Sequence, residues 1–358
     1  MAAIISDLHL SPMTTARHCL QLLGHMAAST YVVRLARLRL RPLQAWLASV
    51  YVPHRHSLTR MVLVPPQVLS SLDWWRDPRE VMMGVPFREF IPSVTLITDA
   101  SDRGWGAHIS HDQGTQGLWS LEERALHINV RELRAVRLAC KAFLHFLRGS
   151  VVRVLTDNTA AMFYMNRQGG ARSSALCQEA IHLWDFAVRH GFHLSASHLP
   201  GVRNSKADRL SRFFSPRHEW SLHQDIVACL FQRWGTPRLD LFATAENRKC
   251  PRFCSLRGRE PGSLSDAFLI PWTGDLMYAF PPVPLLPQVL LKIKRDRADI
   301  ILIAPAWPRQ HWYSMLLDLS ITEPIPLPRR CDLISQDHGR LLHPDLDSLH
   351  LTAWRLCG

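Results

Sequence analysis

Val94-Thr95-Leu96-Ile97-Thr98-Asp99, continuing as Ala100-Ser101-Asp102-Arg103-Gly104-Trp105-Gly106-Ala107-His108-Ile109, is the stretch on which the fold turns. Apolar and β-branched residues running into an aspartate predict a strand that ends on a carboxylate, and two glycines framing a tryptophan predict a second strand ending near Ile109. A short third strand is expected at Gly117–Ser120. From there the period changes. Val130, Leu133, Val136, Cys140, Phe143, Leu144 and Leu147 recur at helical spacing between Asn129 and Arg148, and Gly149 supplies the stop. Val151–Thr156 then reads as a buried strand running into Asp157, Thr159–Asn166 as a short helix, and Ser174–Arg189 as an amphipathic helix. Phe192–His198 reads as a strand and Ser205–Phe213 as a last helix. The order βββαβααβα predicts an α/β domain with a mixed five-stranded sheet flanked by helices.

Four carboxylates occupy particular places in that order. Asp99 ends the first strand, Glu132 lies in the first turn of the long helix, Asp157 ends the fourth strand, and Asp208 lies in the last helix. If the first and fourth strands are neighbours, Asp99 and Asp157 emerge side by side, and Glu132 and Asp208 can approach from either side. Hydrolysis of a phosphodiester needs a deprotonated water, an in-line attack and a stabilised leaving oxygen, which two Mg²⁺ ions about 4 Å apart supply together. Such ions take oxygen ligands and keep several waters, so a few carboxylates at adjoining strand ends suit them. Taken singly, an aspartate after a strand is more often a turn or helix cap.

The motifs around these residues are Thr98-Asp99-Ala100-Ser101 with Gly104-Trp105-Gly106-Ala107, Asn129-Val130-Arg131-Glu132-Leu133, Thr156-Asp157-Asn158, His198-Leu199-Pro200-Gly201, and Ala207-Asp208-Arg209-Leu210-Ser211-Arg212. In this order and spacing they resemble the RNase H domains of retrotransposon reverse transcriptases, especially those of DIRS-like elements, which use a tyrosine recombinase. The resemblance implies an RNase H domain over residues 93–215 that binds two Mg²⁺ or Mn²⁺ ions and cuts the RNA strand of an RNA–DNA hybrid, leaving 5′-phosphate and 3′-hydroxyl ends. It implies that Asp99 bridges both ions, that Glu132 and Asp157 complete the one at the leaving group, and that Asp208 holds the one that activates water. One departure stands out. Cellular relatives carry a mobile histidine after the glycine of the loop before the last helix, whereas Val202 follows Gly201 here, and His198 sits at a strand end as a structural residue. Turnover is therefore expected to be slower. Asn158, Asn166, Arg167 and Gln168 are candidates for contact with the hybrid's minor groove, where 2′-hydroxyls mark RNA, although each alone reads more readily as a solvated helix end. Two other classes compete with the nuclease: a catalytically inactive nucleic-acid-binding relic, and an integrase of the same fold. The match around Ala207-Asp208 and the upstream region disfavour the integrase.

Working outward, Leu20, Leu23, Met26 and Ala27 predict a helix, and Arg34, Arg37, Arg39 and Arg41 alternate with Leu35, Leu38 and Leu40 in a segment that tracks a phosphate backbone or presents a solvated basic face. Residues 1–92, through Arg41-Pro42-Leu43-Gln44 and Ser71-Leu72-Asp73-Trp74-Trp75, are similar to the thumb and connection of the same elements. The palm is missing and no adjacent aspartate pair serves a polymerase turn, so DNA synthesis is not expected. Residues 216–358 are proline-rich but hold a strand-like Ile300–Ala304 and a helix-like Gln288–Lys294, an α/β pattern. With Asp240-Leu241-Phe242-Ala243 and Tyr278-Ala279-Phe280-Pro281-Pro282 they resemble the segment after RNase H in DIRS-like elements, itself distantly similar to phage adenine-N6 methyltransferases. Phe280 stands where such an enzyme keeps an Asn or Asp, so this region is read as degenerate.

Composition fits this organisation. The 358 residues, 47% hydrophobic, allow two or three domains, and the net charge of +12 favours a polyanionic partner. Eight scattered cysteines suit reduced thiols in an intracellular, nuclear or cytoplasmic protein; Cys250 and Cys254 have the spacing of half a zinc site but no second pair follows. No run of about 18 uninterrupted apolar residues marks a membrane span, and Asp7 and His9 interrupt any leader-like stretch. The expected partners are an RNA–DNA hybrid and other parts of a retroelement polyprotein, with no membrane. Met1 leads straight into what reads as the middle of a fold, as in a fragment of something longer.

Overall fold

The computed structural model describes residues 1–86, 90–109, 113–214, 220–255 and 262–358; Pro216, the expected start of the third region, lies outside them. The chain divides into two compact units. One comprises Met1–Ser110, Gly117–Cys140 and Phe146–Arg212, the other His111–Gln116, Lys141–His145 and Phe213–Gly358.

In the first unit the stretch that opens the sequence argument forms strands β1 (Val94–Ala100) and β2 (Gly104–Ile109), antiparallel, with Asp99 opposite Gly106. After strand β3 (Gly114–Leu118) come helix α1 (Ile128–Ala142), strand β4 (Val151–Thr156), helices α2 (Thr159–Asn166) and α3 (Ser174–His190), strand β5 (His193–His198) and helix α4 (Ser205–Arg212). β4 lies parallel to β1 with Leu96 opposite Val154, and β5 lies parallel to β4 with Thr156 opposite His198. The buried residues follow the two periods: Leu96, Val152, Val154, Leu194 and Ala196 at alternate positions of the strands, and Leu133, Val136, Ala139 and Cys140 along one stripe of α1. The long helix is shorter than its apolar period predicts, ending at Ala142, with Leu144–Leu147 a separate turn. No glycine or proline marks that break.

Ahead of β1, helices Ala2–Leu10, Ala16–Ala28, Ala36–Val50 and Pro66–Leu72 close around Ile5, Leu8, Cys19, Leu22, Met26, Leu43, Leu47 and Trp75. A two-stranded ribbon, Met13–Thr15 against Met61–Leu63, completes this part.

The second unit carries a seven-stranded sheet in the order Ser263–Leu264, Arg252–Cys254, Leu239–Asp240, Met277–Ala279, Asp299–Pro305, Leu351–Cys357, Ile325–Pro326. The first five strands are parallel, and Leu351–Cys357 runs antiparallel to both its neighbours. Its core is built from Trp272, Leu286, Val289, Ile300, Leu302 and Trp354, with Phe280 half-buried beside a second cluster around Tyr278. Cys250 and Cys254 are free thiols that burial pushes up to about 12 and about 11.

The expectation of a five-stranded sheet is corrected here. The strands order as β5-β4-β1-β2-β3, then Leu341–Leu342, Ile334–Gln336 and Ser221–Leu222, giving eight. Gly114 and Thr115 pair in parallel with Leu341 and Leu342, which satisfies backbone groups that an edge strand would leave open. The chain is thus an α/β fold with mixed sheets of seven and eight strands.

Candidate metal centre

Because β1 and β4 are parallel neighbours, their C-terminal ends lie together, and Asp99 and Asp157 leave the sheet side by side. The first turn of α1 brings Glu132 onto them. One ligand oxygen from each of Asp99, Glu132 and Asp157 lies within 4.8 Å of the others, the one such group of potential metal ligands among the described residues. Asp99 and Glu132 are each only 5% exposed. Burial first, and then the charges of Asp99 and Asp157, push the Glu132 carboxyl up to about 9. Burial likewise raises Asp99, helped by Asp157 and Asp208 and opposed by a hydrogen bond from Ser211. Glu132 accepts one backbone hydrogen bond, from Ala100, and its Oε2 has no partner. A buried anionic oxygen left unsatisfied is costly. A hard divalent cation, which prefers oxygen ligands, is the partner that relieves all three carboxylates together, so the donor set fits one such ion.

The carboxylates are held by neighbours. The Ser211 hydroxyl donates to Asp99 Oδ2 at 2.7 Å, and Asn204 Nδ2 donates to the Thr98 carbonyl at 3.1 Å and toward Asp99 Oδ1 at 3.4 Å. Arg131, buried beside Glu132, donates to the Ser101 carbonyl at 2.9 Å and to Asp102 at 2.8 Å, and Trp119 Nε1 donates to the same carbonyl at 2.9 Å. Gly201 lies so near Asp157 that a Cβ there would stand 3.2 Å from Oδ2. Asn204 is the residue that sequence reasoning passed over. Its place just before α4 reads as an ordinary helix cap, and nothing local shows that its amide reaches back to β1.

Asp208 lies in the first turn of α4 but outside the three-carboxylate group, its Oδ1 accepting from Arg212 Nε at 2.5 Å. His198 is exposed at the end of β5, and Val202 is 89% exposed. Of the four residues beyond β4, three have their side chains engaged locally. Asn158 caps α2 by accepting from Ala161 N–H at 2.9 Å and donates to Asn129 at 2.9 Å. Asn166 accepts from Ala196 N–H and donates to Ala196 C=O, both at 2.8 Å, clasping the edge strand β5. Gln168, at φ 52°, accepts from Leu38 N–H at 3.2 Å. Arg167 is exposed, its guanidinium over the Phe163 ring at 5.3 Å. Asn166→Ala orphans both Ala196 groups, and a loss of about 2 kcal/mol in the denaturation midpoint is expected, with no change in stabilisation by divalent ions. A loss of that ion response in this variant would make Asn166 part of the centre.

Residues 90–185 match the RNase H-like domain found in reverse transcriptase, less than half of the chain. No curated protein matches it. Among solved structures, RNase H1 from the halophilic archaeon Halobacterium salinarum is similar at 17% identity and a TM-score of 0.27, over 33% of this chain and 92% of that one. LC11-RNase H1 in complex with an RNA/DNA hybrid is similar at 18% identity and a TM-score of 0.29, over 33% and 93%. The foamy viral protease-reverse transcriptase in complex with an RNA/DNA hybrid is similar at 11% identity and a TM-score of 0.24, over 63% and 30%. At such scores structural likeness carries no functional argument. Residues 90–185 thus form an RNase H-like domain with a carboxylate cluster suited to a metal ion. No helix among the described residues is long and apolar enough to cross a membrane.

Proposed function

We propose that the chain is a metal-dependent endonuclease that hydrolyses the RNA strand of RNA–DNA hybrids, leaving 5′-phosphate and 3′-hydroxyl ends. The observation that carries this reading is the convergence of Asp99, Glu132 and Asp157 from two strand ends and a helix, the first two of them buried. Two divalent ions of the Mg²⁺ or Mn²⁺ kind, when bound, supply Lewis acidity to the phosphate and lower the pKa of water. Asp99, held by Ser211 and Asn204, would bind the ions together with Glu132 and Asp157. Asp208, whose Oδ1 accepts from Arg212, would be the fourth carboxylate to hold the ions. The dense packing around Asp99 keeps these oxygens in place while substrate enters.

The same reading takes the chain as part of a retroelement polyprotein of the DIRS-like kind. Residues 1–92 then descend from a thumb and connection, 93–215 form the RNase H domain, and 216–358 descend from an adenine methyltransferase that lost its catalytic residue at Phe280. A second reading, a non-catalytic nucleic-acid-binding relic, is favoured by the Asp208–Arg212 pair and by Val202 in the histidine's place. Cleavage of a labelled RNA–DNA hybrid by the purified chain and by its Asp157→Asn variant, in Mg²⁺ and in Mn²⁺, separates the two. Cutting of the hybrid's RNA strand alone, abolished in the variant, is the expected result. Hybrid binding by a folded chain that never cuts would leave the relic.

A further inference from the structure

In the second unit, the loop that follows strand Leu239–Asp240 brings Lys249 onto Ser221, which lies in the two-residue strand Ser221–Leu222. Lys249 Nζ donates to Ser221 Oγ at 2.9 Å. The main chain of the lysine is held in turn, its N–H donating to the buried Asp240 carboxylate at 2.9 Å. Both side chains are half-buried, and both line one cleft of 350 Å³, a volume that suits a small ligand. Burial draws the Lys249 ammonium below its ordinary range, with Asp240 opposing, which favours the neutral amine. On another wall of the cleft Asp337 and His338 hold left-handed backbone at φ 48° and 53°, and Gly339 follows at 91°. Two non-glycine residues kept in that region are strain of the kind that collects at ligand sites. Gln224, which also lines the cleft, opens helix Gln224–Trp234, and the first N–H of a helix has no acceptor within it.

A hydroxyl and an amine at hydrogen-bond distance, with the amine's backbone fixed by a third residue, are the parts of a nucleophile and its base. We propose that Ser221 and Lys249 form a serine–lysine dyad that hydrolyses small polar carboxylic esters. The neutral Lys249 amine takes the Oγ proton as Oγ bonds to the carbonyl carbon of the ester. The Gln224 N–H is the donor offered to the oxyanion that results. The bond from that carbon to the alkoxy oxygen then breaks, and Lys249 returns the proton to the departing alcohol. Water repeats the sequence on the acyl-serine: Lys249 accepts one of its protons, the acid leaves, and Oγ regains a proton. Ester and water are the only reactants. An ester suits a single amine base, because its leaving oxygen departs with less protonation than an amide nitrogen. Polar walls, with His223, Glu246 and Asn247 among them, favour short acyl groups over lipid chains. This activity stands apart from the nuclease reading and holds whether or not hybrids are cut.

The test treats the full wild-type chain with a fluorescent fluorophosphonate, which forms an Oγ–P bond as fluoride leaves, and locates the adduct by mass spectrometry of the labelled peptide. An adduct on Ser221 is expected, together with hydrolysis of p-nitrophenyl acetate above the buffer rate, and Ser221→Ala should remove both. Lys249→Arg keeps the charge and a donor to Oγ but holds its proton, so labelling and turnover should fall about 100-fold or more at an unchanged melting temperature. Ser221 left unlabelled in the folded wild-type chain overturns the dyad and leaves its contact a structural hydrogen bond. Labelling that keeps its full rate in Lys249→Arg does the same, as does ester turnover undiminished in Ser221→Ala.

Discussion

In a chelating buffer the protein should lose stability as the pH rises from about 5 to 9, and Glu132→Gln should remove most of that loss while abolishing the response to Mn²⁺. Glu132 holds its proton up to about 9 in the folded chain, against an ordinary 4.5. Between those limits the folded state binds a proton that the unfolded state has released, so the free energy of unfolding falls with pH across that window and is greatest below it. At pH 7.5 the deficit is about 4 kcal/mol. Asp99, raised by the same burial, adds in the same direction. Glutamine keeps the shape, accepts the Ala100 N–H and offers its amide to Asp99 or Asp157, so the metal-free variant should melt several degrees above wild type at pH 7.5. Mn²⁺ should raise the wild-type melting temperature at that pH and leave the variant where it was. Melting curves at pH 5, 7.5 and 9, with and without the ion, decide the matter. A wild type whose stability is flat over this range would mean that Glu132 ionises freely and that the carboxylates are not confined together.

What the sequence made legible, and what it hid, follows from how local each signal is. The runs Val94–Asp99 and Val151–Thr156 carry their own strand pattern, and β1 and β4 form on them as parallel neighbours. The apolar stripe from Val130 to Cys140 likewise carries its own helix. Strands of two or three residues such as Leu341–Leu342 and Ser221–Leu222 have no period to read, and exist only because an open sheet edge offers them hydrogen bonds; the five-stranded expectation failed there. At the centre, the positions of Asp99, Glu132 and Asp157 could be reasoned from strand ends and a helix turn. The engagement of Asp208 by Arg212 could not, because an i, i+4 ion pair on an exposed helix and a carboxylate turned to a metal have the same sequence. The arginines from Arg34 to Arg41 show the same limit. Spacing alone does not say that Arg39 is spent on Asp185 and Arg41 on carbonyl groups, while Arg37 is exposed.

Gly106→Ala should be the most damaging single methyl in the first unit. A Cβ at this position would stand 2.4 Å from Leu210 Cβ, 2.5 Å from Ser211 N and 2.6 Å from the Ala207 carbonyl oxygen. Two of these three are backbone atoms of α4, so no side-chain rotation relieves the clash and the helix itself must move off β2. A cost of about 3–5 kcal/mol is expected in the denaturation midpoint. Gly24→Ala provides the opposite sign. It lies inside helix Ala16–Ala28 with nothing within 4 Å of the new Cβ, and alanine there should stabilise by up to about 1 kcal/mol. The Gly106 variant should also respond less to Mn²⁺, because the register sets Gly106 directly opposite Asp99. With no side chain on that residue, α4 lies close enough on the sheet for Ser211 to reach Asp99 and for Asp208 to bear on it. A Gly106→Ala protein with full stability and an undiminished ion response would mean that α4 does not need this contact. The packing instead ties the ligand set to it: the glycine that lets the helix down onto β2 is what lets two elements far apart in sequence hold one carboxylate.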